Sequence, residues 1–494
     1  MAAGSAQAQQ LGTISFPNSG SPAAQAPFIR GVLYLHSFEY DEAASAFREA
    51  QTKDPGFALA YWGEALSLTH PVWNEQDLAA ARSALARLAP TAAARRVRAP
   101  THREQMYLDA VEILYGEGSK PRRDTLYAQA MERLTGAHPE DDEARAFYAL
   151  ALLGLNQGVR DVPAYMRAGA IAQEILSRKP DHPGAAHYVI HAFDDPVHAP
   201  LGLPAARAYS RIAPAAPHAQ HMTTHIFLAV GMWDEVVSQN IIASGPDRSR
   251  WRAGHYPSWL AYGLLQQGRY RDAAELLDLV KANLREGSSA GQHAYLQAMR
   301  AHHIVNTEEW DGAVARWEPD LSRGSAVTRA MSLFASGYAA LKREDRAGAE
   351  GFLSRLEELA GPGSAGEVRI MARELSALVI LAGGKRDEAI AILKEAAKAE
   401  DGIPAEFGPP AIVKPTHELL GETLLAAGDA AGAVREFRRA LDLAPGRSRA
   451  LLGLTRAAQA AGDLATAERA RDALRANWKT ADPSVGDSPK RPPL

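Results

Sequence analysis

No cysteine occurs among the 494 residues. Disulfides, thiolate nucleophiles and cysteine-ligated zinc or iron–sulfur sites are therefore excluded, and any metal must be held by imidazole, carboxylate, carbonyl or water. Long apolar runs are also missing: nothing approaches the roughly eighteen uninterrupted apolar residues of a bilayer-spanning helix. The alanine-rich segments are broken by Arg and Glu at helical spacing. Nor is there an excess of one charge, since 54 basic and 58 acidic residues leave a formal −4. Without a basic block to track a phosphate backbone, nucleic acid is not an expected partner. Alternating β-branched runs closed by Asn-Gly or Asp-Gly turns do not occur. No GxGxxG follows a strand pattern, no GxxxxGK[ST] occurs and no GxSxG sits at a strand-to-helix elbow, so ordinary nucleotide binding has no support.

What is present is 46% hydrophobic and 23% charged, a globular composition with enough chain for a large core or several smaller ones. Repeating helical pairs begin at Phe28 with FIRGVLYLHSFEYDEAASAFREAQTKDP. Gly31, Tyr34, Tyr40, Ala43, Phe47, Ala50 and Pro55 fall at the spacing of a tetratricopeptide (TPR) repeat, with small residues where helices cross, aromatic knobs between them and a closing proline. The clearest unit is PTHELLGETLLAAGDAAGAVREFRRALDLAP, with Leu420, Gly421, Gly428, Ala433, Phe437, Ala440 and Pro445 in frame. The expected fold is an all-α solenoid of antiparallel helix pairs. Its expected layout is a disordered N-terminal tail over 1–25, TPR-like repeats over 26–87, a linker and irregular helical pairs over 88–180, histidine-rich repeats over 181–250, further repeats over 251–478 and a disordered Pro-rich tail over 479–494. Within the first tail, Ala6-Gln7-Ala8 has the small-x-small form of a signal-peptidase site, so the segment reads as a trimmed export signal and the expected location is periplasmic or secreted.

Seven of the sixteen histidines lie between 182 and 240. His187 and His191 recur, 34 residues later, as His221 and His225, and 34 is the TPR period. His36 and His70 are a further pair one period apart, each at position 13 of its repeat when Gly31 is taken as position 8. Imidazoles at i and i+4 share one helix face about 5–6 Å apart, and packed helices lie roughly 8–10 Å axis to axis. Two such pairs on neighbouring first helices are thus expected to converge on one ion. Neutral imidazole favours zinc, copper, iron or nickel over calcium or magnesium. Copper or zinc is the expected cofactor, with iron behind them. A single HxxxH is common in helices that hold no metal; the weight here comes from two pairs in register.

His218 lies one turn before His221, beside Pro214 and Pro217, where ligation and a capping or supporting role are both open. Asp194 and Asp195, in FDDPVHAPLG with His198, are placed either to orient imidazole N–H groups or to cap the next helix. Glu39 and Glu75 each follow an in-frame histidine. Of the two, Glu39 is preferred as a carboxylate ligand or as a general base acting on metal-bound water, because three residues place it near the face of His36. His417-Glu418 lacks the second histidine of HExxH and reads as structural. His102, His138, His182, His293 and His303 carry no functional reading.

The segments FPNSGSPAAQAPFIRGVLYLHSFEYDEAASAF, DPGFALAYWGEALSLTHPVW and HYVIHAFDDPVHAPLGLPAARAYSRIAPAAPHAQHMTTHIF, with their LHSF, HYxIHAFDDP and PHAxHMxxHIF patterns, resemble a bacterial group of exported TPR proteins. The resemblance spans nearly the whole chain. It implies the fold and a histidine-rich concave groove, without supplying a reaction. By resemblance to proteins of this fold, His36, His70, His187, His191, His221 and His225 all face that groove. Three functions are open: a metal-binding solenoid with oxidative or hydrolytic activity, a scaffold taking a peptide, a small molecule or a protein partner in its groove, and a protein that stores or delivers metal.

Overall fold

A computed structural model describes residues 10–155, 160–404 and 407–486. The fold is all-α, a TPR-type α-solenoid architecture of antiparallel helix pairs. Among the described residues the strands are two residues long, Thr69–His70 (β1) and Glu75–Gln76 (β2). The chain divides into two compact units, Met1–Ile226 and Phe227–Leu494, so the expected block 181–250 is split between them.

In the first unit the helices are α1 (Pro22–His36), α2 (Tyr40–Lys53), α3 (Ala58–Leu66), α4 (Leu78–Leu88), α5 (Ala92–Arg98), α6 (His102–Leu114), α7 (Lys120–Ala137), α8 (Asp142–Leu153), α9 (Val162–Arg178), α10 (Pro183–Ala192), α11 (Ala199–Ile212) and α12 (Pro217–Ala229), the last running past Ile226. The periodic small and aromatic residues make the pairs. A Cβ on Gly31 would meet the Phe47 ring at 2.8 Å, and one on Gly63 would meet the same ring at 2.3 Å. Phe47 is therefore a knob wedged between two helices that only glycine lets approach. The same device recurs in the second unit, where Phe437 fills the space between Gly421 and Gly453.

Expected and observed elements differ at three places. Residues 10–21 are not a loose tail: Leu11 and Phe16 are buried, and the Phe16 ring packs against Phe28, Trp62 and Tyr107. Thr13 N donates to Asp181 O at 3.0 Å. Pro, Gly and Ser hide this segment from a periodicity search, because it is extended chain anchored by one aromatic side chain. Residues 92–98, within the expected linker, form helix α5, capped by the Thr91 hydroxyl. Of the expected C-terminal tail, 483–486 make one helical turn, with Val485 buried. The Ala6-Gln7-Ala8 segment and residues 487–494 lie outside the described residues.

The first unit also departs from simple nearest-neighbour stacking, in which each repeat touches only the next. Helix α1 packs against α10, and its last residue meets α8 and α10 through hydrogen bonds spanning 107 and 152 residues. The unit thus closes on itself around the end of α1.

The second unit runs α13 (Trp233–Ser244), α14 (His255–Gln266), α15 (Tyr270–Ala282), α16 (Ala290–Thr307), α17 (Ala313–Arg316), α18 (Ala326–Lys342), α19 (Arg346–Leu359), α20 (Gly366–Ala382), α21 (Arg386–Asp401), α22 (Thr416–Ala426), α23 (Ala430–Leu443), α24 (Ser448–Ala460), α25 (Leu464–Asn477) and α26 (Pro483–Gly486). It closes in the same way. Arg447, just ahead of α24, donates to Tyr262 OH on α14 at 2.9 Å, and Ser448 Oγ donates to Gln266 O at 2.6 Å.

Candidate metal centre

Helix α10 begins with Pro at its first position, where no N–H is needed, and its N-cap is His182, whose Nδ1 accepts from Ala185 N at 3.1 Å. One turn further on, His187 and His191 project from one face with ring centroids 4.8 Å apart. His218, in the first turn of α12, brings its ring 5.2 Å from His187. One nitrogen from each of these three side chains lies within 4.8 Å of the other two. All three residues are buried, with 0%, 5% and 7% of their surface exposed.

Hydrogen bonding assigns the tautomer of His187. Its Nδ1 lies 2.7 Å from the carbonyl oxygen of His36, which can only accept, so Nδ1 carries the proton and Nε2 keeps its lone pair. That Nε2 is buried and has no hydrogen-bond partner, and the same is true of Nε2 on His191. Burial holds His187 at about 3, against the lift from its backbone hydrogen bond and with a further depression from neighbouring imidazoles. His191 is likewise pushed well below the usual range, by burial first and then by His187, His225, His218 and Arg160. Both are neutral at pH 7, the form in which imidazole binds metal.

A second pair adjoins the first. His221 and His225 sit at i and i+4 on α12, with Nε2 atoms 3.0 Å apart. Asp194 Oδ2 accepts from His225 Nδ1 at 2.6 Å, fixing the tautomer as a supporting carboxylate does in metal sites. Ring centroids of His225 and His191 are 6.1 Å apart, and those of His221 and His218 6.2 Å. The five imidazoles are therefore contiguous. They do not form one four-histidine centre from His187, His191, His221 and His225, as repeat geometry suggested: His187 and His191 group with His218, while His221 and His225 turn toward each other and Asp194.

His36 is placed differently from expectation. Its Nε2 donates to Glu143 Oε2 at 2.8 Å, and its Nδ1 accepts from Tyr188 OH at 2.9 Å. His182 Nε2 lies 3.3 Å from the other oxygen of Glu143. His36, Glu143 and His182 are close enough together to surround a cation. Both Nδ1 lone pairs are already engaged and His36 Nε2 is satisfied by Glu143 Oε2, while His182 Nε2 and Glu143 Oε1 meet at 3.3 Å as an ion-pair contact without a hydrogen bond. Burial alone would raise Glu143, but His182 and His36 beside it hold it down at about 2. Burial lowers His36 against the pull of Glu143. The contribution of His36 to the centre is its backbone carbonyl, which orients His187.

His70 stands apart. Helix α3 ends at Leu66, and Pro71 with a left-handed Asn74 (φ 56°) breaks the repeat frame before position 13 is reached. His70 instead pairs with Glu75 across the β1–β2 ribbon, its Nδ1 3.2 Å from Oε2, and stacks on Tyr40. It belongs to none of the three-ligand groups among the described residues.

Glu39 lies beside the centre without joining its nitrogen set. As the residue preceding α2 it reaches α12, where Oε1 accepts from His218 N at 3.0 Å. Burial raises its carboxyl, opposed by that hydrogen bond. Asp195 accepts from His198 Nδ1 at 2.8 Å and from the backbone N–H of Val197 and His198, in the turn that leads into α11, whose N-cap His198 receives no side-chain cap. Arg160 bridges Asp195 and the carbonyls of Ala192 and Asp194 at the end of α10.

Phe38 completes the setting. Its backbone is in the left-handed region (φ 55°), rare for a bulky residue. Its ring lies 4.2 Å from His187, 5.5 Å from His191 and 5.7 Å from His218. Tyr40 and Trp73 also pack on it, at 5.4 and 5.6 Å, and Trp73, which is exposed, reaches His218 as well at 5.9 Å. Sequence reasoning missed Phe38, Glu143, His182 and Tyr188. The only available signal was His182 itself, immediately before the Pro that opens a histidine-bearing helix.

No family model matches the chain, and no curated protein matches it in sequence. Among solved structures it is similar to a human IFIT1 dimer with PPP-AAAA (14% identity over 97% of this chain and 94% of that one, TM-score 0.40). It is also similar to the Cut9–Hcn1 hetero-tetramer of the APC/C (14% identity, 90% and 78%, TM-score 0.36) and to the TPR domain of P58(IPK) (12% identity, 89% and 98%, TM-score 0.24). At these scores no ligand or partner carries over to this chain.

Proposed function

We propose that this protein is a transition-metal protein whose ion is held by His187, His191 and His218, and that it acts as a metal-dependent enzyme of oxidative or hydrolytic type. The observation that carries the reading is that His187, His191 and His218 bring one nitrogen each within 4.8 Å of one another, while the buried Nε2 atoms of His187 and His191 have no hydrogen-bond partner and that of His187 keeps its lone pair. An unsatisfied buried acceptor costs about 1–3 kcal/mol, and a bound cation would offset that cost. Three protein ligands leave a coordination position for water or substrate, the arrangement of catalytic rather than closed structural sites. Ligands of imidazole alone favour copper or zinc, with iron next. His221 and His225, with Asp194 behind them, extend the histidine set on the α12 side.

Glu39 is assigned to hold the start of α12, and so His218, in place. With its carboxyl raised by burial, it is also the group assigned to take a proton from a metal-bound water, which an ion of this class makes acidic near neutral pH. The scaffold alternative is less well supported by these side chains, because imidazoles this deeply buried offer a docked peptide no surface. The periplasmic or secreted location expected from Ala6-Gln7-Ala8 belongs to this proposal, and cell fractionation tests it.

The experiment is elemental analysis of protein purified without a histidine tag, before and after supplementation with copper, zinc or iron. About one equivalent of ion is expected in the wild type, and loss of it in His187→Ala/His191→Ala. Retention of less than roughly a tenth of an equivalent of any transition metal by the folded wild type contradicts the proposal.

A further inference from the structure

The turn that breaks the repeat frame after α3 is built to hold one side chain in place. Thr69–His70 and Glu75–Gln76 pair as a two-stranded ribbon. Asp77 N donates to Leu68 O at 2.9 Å across its base, and Gln76 Oε1 accepts from Arg123 at 2.6 Å. Pro71 sits against the end of α8, where glycine leaves it room: a Cβ on Gly154 would meet Pro71 Cβ at 2.7 Å. Fixed at its base and against α8, the ribbon sets the position of Trp73.

Trp73 keeps 38% of its surface exposed, and its inner side meets other rings edge-on, the geometry that aromatic pairs favour. Its centroid lies 5.6 Å from Phe38, 5.9 Å from His218 and 6.4 Å from Tyr40, at interplanar angles of 65°, 63° and 77°. Phe38 in turn stacks on His191 and His218, at 24° and 30°. A single indole thus spans from solvent to the ring of a proposed ligand. Tyr188 and Tyr209, which pack on His187, are buried. Tyr40 gives no resting place for an oxidising charge: its hydroxyl is buried without a hydrogen-bond partner, so nothing stands ready to take the proton a tyrosine loses on oxidation. Leaving a large apolar ring partly in water forfeits part of the stabilisation its burial would bring. The ribbon nevertheless holds it there, touching a buried imidazole.

We infer, resting on the metal reading above, that Trp73 is the electron port of the histidine centre: a one-electron donor at the surface passes its electron through the indole and the His218 ring to a copper or iron ion, without entering the centre. Copper and iron carry one-electron chemistry, and the protein supplies the path and the exclusion of other reactions. The donor loses one electron and the ion gains it, Cu(II) becoming Cu(I). The indole begins and ends neutral, and no bond in the chain forms or breaks.

Stopped-flow reduction of the full chain, loaded with Cu(II) and mixed with ascorbate under argon, tests this. Ascorbate gives up one electron and releases one proton to water, and loss of the Cu(II) absorbance reports the transfer. Reduction is expected to be roughly tenfold or more slower in Trp73→Leu than in the wild type, with Trp73→Phe between them. Copper content and the Cu(II) paramagnetic resonance spectrum are expected to be the same in all three. A ring that merely covers the imidazoles predicts the opposite sign, since removing it lets ascorbate in and speeds reduction. A rate in Trp73→Leu equal to or above that of the wild type therefore overturns the inference and leaves the metal reading standing. If Trp73→Leu loses its copper, Trp73→Phe decides, and an unchanged rate there overturns the inference. A folded wild type that takes up no copper or iron brings down the metal reading and this inference with it.

Discussion

Removing Glu143 is expected to destabilise the first unit by about 3–5 kcal/mol, the range for breaking one partner out of a buried charged network. In Glu143→Ala the Nε2 hydrogen of His36 loses its acceptor and His182 Nε2 its ion-pair contact, and a buried donor left unsatisfied costs about 1–3 kcal/mol. Linkage gives an independent figure. The carboxyl falls from 4.5 to about 2 on folding, which corresponds to about 3 kcal/mol of stabilisation. Because the folded value is the lower one, this contribution is fully present above about pH 4.5 and is lost as pH falls toward 2. Thermal unfolding followed by circular dichroism at pH 7 should therefore show the transition of the first unit falling by roughly 10 °C, at about 2–4 °C per kcal/mol for a unit of this size. The difference between wild type and variant should shrink as pH drops below 4.5. A shift under about 2 °C at pH 7, or a difference that does not depend on pH, would refute the reading of Glu143 as the acceptor that fixes His36.

Three other outcomes follow from the same geometry. Chelator-stripped protein should lose stability as pH falls below 6.5, by about 1.4 kcal/mol per pH unit for each buried neutral imidazole. His187 titrates at about 3 when folded, below its unfolded value, so its contribution is whole above 6.5 and erodes down to pH 3; a urea midpoint equal at pH 7 and pH 5 would contradict this. Gly184→Ala puts a Cβ 2.2 Å from His36 Nδ1, and is expected to cost about 1–3 kcal/mol and to weaken metal retention through the His36 carbonyl. Both can be read from melting curves and metal content. Phe38→Gly relieves a left-handed backbone and removes the ring covering the three imidazoles. It should speed chelator extraction of the ion by roughly tenfold or more, measured with a chromophoric chelator, and an unchanged rate would show that Phe38 does not limit access.

Helical pairing was legible because it is written in periodic small and aromatic residues, as Gly31 and Phe47 show. The recurrence of His187 and His191 as His221 and His225 likewise pointed to the two helices whose imidazoles lie together, and of the two roles open for Asp194 the structure shows the hydrogen bond to an imidazole N–H. What failed was extrapolation of a repeat frame across its own irregularities. His70 carries the correct number but sits beyond a helix ended at Leu66 by a turn built on Pro71 and Asn74. Closure of the first unit could not be read from a period, because it depends on the end of α1 meeting α8 and α10. For that reason the period does not show that the His36 side chain meets Glu143 and Tyr188 while its carbonyl meets His187. The position of His218 could not be read from the period either, because it depends on its backbone N–H donating to Glu39 at the start of α12.

The central claim is the set of nitrogen ligands, and X-ray absorption fine structure at the metal edge of the copper- or zinc-loaded chain tests it most directly. We predict a first shell containing three imidazole nitrogens at about 2.0–2.1 Å with one further light atom, reduced by one imidazole in His218→Ala and unchanged in His70→Ala. A shell without imidazole scattering, or one that His218→Ala leaves intact, would contradict the account.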